Sequence, residues 1–416
     1  MSYDEPESPP RRSPSDSTPD PLSKSVPSMK PSFRSKLPDV GTTIFTVMSA
    51  LANQYRAINL SQGFPDYPAH AGLTAALQAA AEGGQNQYAA MTGLAQLRQA
   101  IAAKLALQHG IAVDVEQEVT VTAGATQAVF TALATVLHAG DEAILFDPSY
   151  DCYAPAVMAQ GARPVRISLK APTFAIDWDE VARAIGPRTR IILINNPNNP
   201  STSMFAQSDL DALADLCERH DLLVLADEVY EHVTFDGLPH RSVLTHPVLR
   251  PRSFAVYSFG KTFHVTGWKV GYCVAPAELS AEFRKIHQFL VFSVNTPAQH
   301  AIASHLSDPS HWQSLPTFFA SRRNALAKGL EDAGFALLPV RGTYFQLADY
   351  GSIRPDLDDL SFARWLTTEL GVASIPVSVF YAAPPTGQRL VRFCFAKEIS
   401  TIEAAVERLS ALRTKA

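Results

Sequence analysis

Leu222-Leu-Val-Leu-Ala-Asp-Glu-Val-Tyr230 is the stretch whose reading decides the fold. Its five leading apolar residues are too few to cross a membrane and too uniformly apolar for a strand with one wet face. They predict a strand buried on both sides. The run stops at Asp227, so two carboxylates and a phenol follow at the strand's C-terminal end. Just upstream, Ser208–His220 has helical apolar spacing. Before it, Arg190-Ile-Ile-Leu-Ile194 is another apolar strand, running into Asn195-Asn-Pro-Asn-Asn-Pro200. Strand, helix, strand is the unit of a parallel sheet, which presents reactive groups beyond the C-terminal ends of its strands.

The alternation extends both ways. Strands are predicted at Glu118–Thr122, Ala143–Phe146, Arg163–Leu169 and Phe254–Tyr257, with helices at Leu73–Ala81, Leu94–His109, Gln127–Leu137 and Trp178–Ile185. The fold class is therefore α/β, a three-layer α/β/α large domain with a mostly parallel sheet. Past Gly271 come helical patterns at Ser280–Leu290, Pro297–Leu306 and Pro316–Ala333. Short strands at Gly342–Leu347 and Leu390–Phe395 follow between helices, the signature of a smaller α+β domain. The expected divisions are a Ser/Pro-rich tail over 1–38, too poor in apolar side chains to order itself, an N-terminal part of the small domain over 39–66, a large domain over 67–299 and the small domain over 300–416. Met29 begins more ordinary sequence and is an alternative start.

Composition narrows the class. The 416 residues are 46% apolar and 18% charged, with a net charge of −5 and no basic run interleaved with aromatics, which excludes a nucleic-acid footprint. No apolar run reaches the ~18–20 residues of a membrane span, and no basic-then-apolar leader opens the chain, so no membrane partner and a cytoplasmic location are expected. The four cysteines are widely spaced and read as buried small hydrophobes, with no metal site.

Chemistry enters at Ser258-Phe-Gly-Lys-Thr-Phe-His-Val-Thr-Gly-Trp-Lys269. Lys261 lies just beyond a strand, where a covalent catalytic amine would be presented. An amine that holds an aldehyde cofactor such as pyridoxal 5'-phosphate needs company. A carboxylate must favour the protonated pyridine nitrogen, and Asp227 ends a buried strand. Tyr230 and Asn199 can address the ring oxygen. Ala125 and Thr126, in the turn at a helix start, can meet the phosphate together with Ser258 and Lys269.

The order of these motifs is specific. Ser61-Gln-Gly-Phe-Pro-Asp66, Asn86-Gln-Tyr88, Asn195-x-Pro-x-Asn-Pro200, Asp227-Glu-Val-Tyr230, Ser258-x-Gly-Lys-Thr262, Thr266-Gly-Trp-Lys-Val-Gly271 and Arg392-Phe-Cys-Phe395 span nearly everything from Gly41 onward. The chain resembles the fold-type I, pyridoxal-phosphate-dependent class I aminotransferases, and most nearly their methionine aminotransferase and kynurenine (glutamine) transaminase branch. The resemblance implies that Lys261 bonds to the cofactor aldehyde, that Asp227 pairs with the pyridine nitrogen, and that Tyr230 and Asn199 contact the 3-oxygen. It further implies that Tyr150 stacks on the ring and that Arg392 clamps the substrate carboxylate with help from Gly63 and Asn199. Tyr88 would reach a neighbouring subunit's phosphate and Phe292 the partner's substrate pocket, making the active unit a homodimer with shared sites. Asn198 departs from the family, which often has histidine there, but keeps a polar turn.

The implied reaction moves the amino group of an L-amino acid to a 2-oxo acid by a ping-pong route. Methionine, aromatic amino acids or kynurenine are the expected donors, because no second arginine for a side-chain carboxylate is evident. Phe45, Tyr67 and Phe292 are candidate pocket walls. β-Elimination from cysteine S-conjugates shares the same carbanion and stays open as an alternative. A regulator built on this fold would need an N-terminal helix-turn-helix, for which the tail has no apolar period.

Overall fold

A computed structural model describes residues 34–414. Most of the predicted tail, Met29 included, lies outside the described residues.

The apolar runs become one seven-stranded sheet. Its spatial order is β2 (Val119–Thr122), β8 (Gly271–Val274), β7 (Ser253–Ser258), β6 (Leu223–Asp227), β5 (Thr189–Asn195), β3 (Glu142–Asp147) and β4 (Arg163–Ser168). Pairing is parallel from β7 through β4, while β8 runs antiparallel to both of its neighbours. Strand β8 was not predicted. Four residues after a glycine-containing turn carry too little pattern, and their conformation is set by ladders on both sides. The reversal matters because the N-terminal end of β8 then shares an edge with the C-terminal ends of the other six strands.

Side-chain alternation explains why both faces are covered. Ala143, Leu145, Leu193, Leu225 and Val256 pack into one apolar cluster with the helix Ala125–Val136 and with Phe283 of the helix Ala277–Leu290. Their neighbours Ile144, Phe146, Ile194, Ala226 and Tyr257 belong to a second, larger cluster. Each fully buried Leu, Ile or Val contributes roughly 1.5–3 kcal/mol, so a one-residue register slip would cost the core on both faces.

The remaining strands lie outside this sheet. The parallel pair β1 (Ile58–Asn59) and β11 (Val372–Ala373) joins the N-terminal segment to the C-terminal region. The strands β12 (Ile375–Pro376), β13 (Leu390–Cys394), β10 (Phe345–Asp349) and β9 (Ala336–Leu337) form an antiparallel sheet. Among the described residues no helix is long and apolar enough to cross a membrane.

Candidate active site

The strand ends converge on a cavity of about 330 Å³. The candidates Gly63, Ala125, Thr126, Tyr150, Asn199, Asp227, Tyr230, Ser258, Lys261, Lys269 and Arg392 line it, as does Phe45, while Tyr88 and Phe292 do not. Tyr67 does not. It is half-buried and packs edge-on against His264 and Phe318, away from the cavity wall.

Lys261 lies in a single helical turn, Phe259–Thr262, directly after β7. Its Nζ donates to the carbonyl of Gly63 at 3.2 Å and lies 5.7 Å from the ring centres of both Tyr230 and Tyr344. The same carbonyl accepts from the Tyr344 hydroxyl at 2.6 Å. A side chain at Gly63 would start 2.8 Å from the Phe345 ring, so glycine there lets the carbonyl reach the amine. Burial lowers the Lys261 pKa to about 8, with the nearby Arg392 and Lys269 charges assisting.

Asp227 ends β6 on the same side as Leu225. The Tyr153 hydroxyl donates to its Oδ2 at 2.6 Å, while Oδ1 has only a long contact, 3.4 Å, from the Val229 N–H. Burial pushes the carboxyl up to about 6, against the lowering effect of the Tyr153 bond. Asn195 ties this strand end to the next loop. Its amide donates to the Asp227 carbonyl at 2.8 Å and its oxygen accepts from the Asn199 N–H at 2.7 Å. Asn198 closes the same turn by accepting from the Ser201 hydroxyl at 2.7 Å, which explains how asparagine is accommodated there.

Positive charge without a partner gathers at one end of the cavity. The helix Ala125–Val136 begins two residues earlier than the apolar period implied, because Gly124 adopts φ +79° and turns the chain directly into it. Ala125 and Thr126 therefore sit in the first turn, where backbone N–H groups have no intrahelical acceptor and no side chain caps them. A Cβ on Gly124 would lie 3.5 Å from the Lys269 ammonium, which is held there by a left-handed backbone at φ 54°. Lys269 has no carboxylate partner among the described residues. A helix start, an uncompensated ammonium and the Ser258 hydroxyl suit an anion.

Arg392, on β13, is fully buried yet lines the cavity. Its Nη1 donates to Asn199 Oδ1 at 2.5 Å and its Nη2 to the Ser61 carbonyl at 3.2 Å, while Nε has no partner among the described residues. Phe345 stacks at 3.9 Å from the guanidinium carbon, with Phe45 and Phe380 at 5.4 and 5.3 Å. A guanidinium fixed by two neutral acceptors and walled by aromatics keeps its charge available for a carboxylate.

The sequence matches the family model of class I and II aminotransferases over residues 55–409. The chain belongs to that family. The aminotransferase is 51% identical over 380 residues to methionine aminotransferase of Escherichia coli, covering 91% of this chain and 98% of that protein. A crystal structure of that enzyme superposes with a TM-score of 0.89, over 91% of this chain and 99% of the other. A probable N-succinyldiaminopimelate aminotransferase of Mycobacterium tuberculosis is 39% identical over 91% of this chain and 98% of its own length. Human kynurenine–oxoglutarate transaminase 1 is 32% identical over 86% and 93%.

Two candidates stand apart from the cavity of their own chain. Tyr88 is 83% exposed, and its ring meets Phe292 edge-on at 5.5 Å. Phe292, at φ 66°, follows the exposed Phe289 and Leu290, so the aminotransferase presents a contiguous apolar surface here. Other lining residues had no signal in the sequence. Tyr153 and Phe345 act on groups 74 and 47 positions away, respectively Asp227 and Arg392. Cys152, expected in the core, is only half-buried and lines the cavity, because the chain turns into the short helix Tyr153–Ala159 at that point.

Proposed function

We propose that this aminotransferase uses pyridoxal 5'-phosphate to move the amino group of an L-amino acid to a 2-oxo acid by a ping-pong route, with methionine, aromatic amino acids and kynurenine as favoured donors. The observation that carries the reading is the meeting of Lys261, Asp227 and Arg392 in one cavity that also holds an anion cradle. The donor set fits the cofactor: the helix start with Lys269 and Ser258 for its phosphate, Asp227 Oδ1 for its ring nitrogen, and Lys261 Nζ for its aldehyde. Tyr230 and Asn199 are assigned to its ring oxygen and Tyr150 to its face. The unpartnered Nε of Arg392 fits the substrate carboxylate, with Gly63 and Asn199 beside it.

When bound, the cofactor supplies a carbonyl that condenses with amines and a protonated ring that accepts an electron pair. The chain's own residues do the rest. Arg392 fixes the carboxylate, which orients the Cα–H bond of the amino acid. Asp227, kept ionised by Tyr153, holds a proton on the ring nitrogen. Lys261, as a neutral amine, would take the Cα proton at Nζ and hold it for return. A pKa near 8 suits that shuttle: at pH 7 roughly one tenth of such amines are neutral, against well under ~1% for an ordinary lysine.

Two features support the donor class. Arg392 is the only arginine among the lining residues, and the walls beside it are aromatic. The names of two of the similar enzymes, methionine aminotransferase and kynurenine–oxoglutarate transaminase, point the same way. The reading includes a homodimer in which Tyr88 and Phe292 serve the partner's site. The deciding experiment is the visible spectrum of the purified protein during titration with single amino acids. Yellow protein bleached by methionine and restored by a 2-oxo acid supports the scheme, and protein that binds no pyridoxal phosphate overturns it.

A further inference from the structure

The segment after β6 faces two ways. Asp227 and Tyr230 line the cavity, whereas Glu228 and Glu231 do not, although both are buried. They enter a separate polar node. Glu228 accepts from the Tyr257 hydroxyl at 2.7 Å and from the Val243 N–H at 2.9 Å. Glu231 pairs through Oε2 with the Lys104 ammonium, which also donates to the Tyr272 hydroxyl at 3.2 Å. His232 Nε2 stands 3.5 Å from Glu231 Oε1, and His240 Nε2 3.9 Å from Glu228 Oε2.

Three atoms of this node converge. His109, His240 and Glu231 each offer one ligand atom within 4.8 Å of those of the other two, and the imidazole nitrogens left bare are His109 Nε2 and His240 Nδ1. The three side chains are only 5%, 3% and 4% exposed. Neither of these nitrogens has a hydrogen-bond partner among the described residues, and Glu231 Oε2 has only the Lys104 ammonium. The His240 tautomer is set from outside: Nε2 donates to the Asn196 carbonyl at 3.0 Å, which leaves the lone pair on Nδ1. A histidine that gives its other N–H to a backbone carbonyl is the usual arrangement of a metal ligand.

We propose that His109, Glu231 and His240 form a buried site for a divalent transition-metal ion, with zinc the best match to two imidazoles and one carboxylate. His109 Nε2 and Glu231 Oε2 are 3.8 Å apart, close to the roughly 3.4 Å separating ligand atoms on a tetrahedral zinc. Glu228 and Glu231 place two buried carboxyl groups beside the single ammonium of Lys104, so an added ion meets oxygen donors in the node as well as a cation. The ion takes the oxygen now shared with Lys104, and the lysine keeps the Tyr272 hydroxyl. Since Glu231 adjoins Tyr230, the ion would brace the catalytic segment from behind without entering the cavity.

The test uses full-length, cofactor-loaded protein, stripped with a chelator, equilibrated with zinc chloride alone and freed of unbound metal. About one retained zinc per chain is expected. His240→Gln should weaken binding by more than the ~10–100-fold that follows loss of an outer-shell partner. His311→Gln, in the partly exposed group His70, His305 and His311, should leave the retained zinc unchanged. An anomalous difference peak at the zinc edge between His109 and His240 in wild-type crystals checks the site even where a variant fails to fold. No retained zinc, retention insensitive to His240→Gln, or a peak at the His70 group would overturn the assignment.

Discussion

The Tyr153 hydroxyl donates to Oδ2 of Asp227 at 2.6 Å, and both groups are buried. Burial raises the carboxyl pKa and this bond opposes the rise, so the phenol keeps the carboxylate charged. Tyr153→Phe is expected to cost about 1.5–3 kcal/mol of that support. Cofactor affinity should fall at least about tenfold at pH 7, measured by titrating the apoprotein with pyridoxal phosphate. A change under about twofold would remove Tyr153 from this role.

Arg392 is held by Asn199 and Ser61 in a geometry that lysine cannot reproduce. Arg392→Lys keeps the charge and loses the planar fork. We expect the methionine KM to rise about 10²-fold, the loss of roughly 2–3 kcal/mol, with cofactor affinity changed little. Equal losses in both would make the residue structural.

Lys261→Met should abolish turnover and stabilise the apoprotein. The folded-state pKa of Lys261 is depressed from 10.5 to about 8, so below pH 8 folding works against a buried charge. The native state releases that proton between pH 8 and 10.5 while the unfolded chain retains it, so this penalty fades as pH rises through the window. The variant should gain about 1–3 kcal/mol at pH 7 and nearly nothing by pH 10.5, read from urea midpoints of the apoproteins. An equal gain at both pH values would refute the charge argument.

The same shift sets a pH dependence for reconstitution. Bond formation with the cofactor aldehyde requires the neutral amine, so the rate at which apoprotein turns yellow should climb with pH and level off above about 8. A plateau reached only near pH 10 would mean that burial does not perturb Lys261.

Phe289, 87% exposed, is the most exposed residue of the apolar surface around Phe292 and Tyr88. Phe289→Glu is expected to lower the sedimenting mass of the proposed homodimer toward that of one chain, with activity falling in parallel. An unchanged mass would place the subunit contact elsewhere.

What was legible in the sequence was whatever a strand end displays locally. Asp227, Lys261 and the Asn195–Pro200 turn each follow an apolar run, and their meeting at one cavity could be read from their position. Tyr153 could not, because its partner is separated from it by the order of β3, β5 and β6, which only the assembled sheet defines. Strand β8 was hidden for a related reason, its short sequence being made extended by two neighbours. The helix start at Ala125 was missed because alanine and threonine fit a turn or a helix equally well, and the conformation of Gly124 decides between them. Tyr67 shows the converse: an aromatic near the right motif whose ring packs on His264 and Phe318 instead of the cavity.

The antiparallel course of β8 also bears on how the chain reaches this structure. The β7–β8 pairing joins Ser258 to Gly271, the shortest span of chain enclosed by any pairing in the seven-stranded sheet, whereas Thr122 and Gly271 must meet across nearly 150 residues. Loop-closure entropy favours the short span first. Lys261 and Lys269 thus travel on the hairpin with the lowest contact order in the sheet, and the two cations can be set beside each other before the anion cradle of Gly124 and Ala125 arrives.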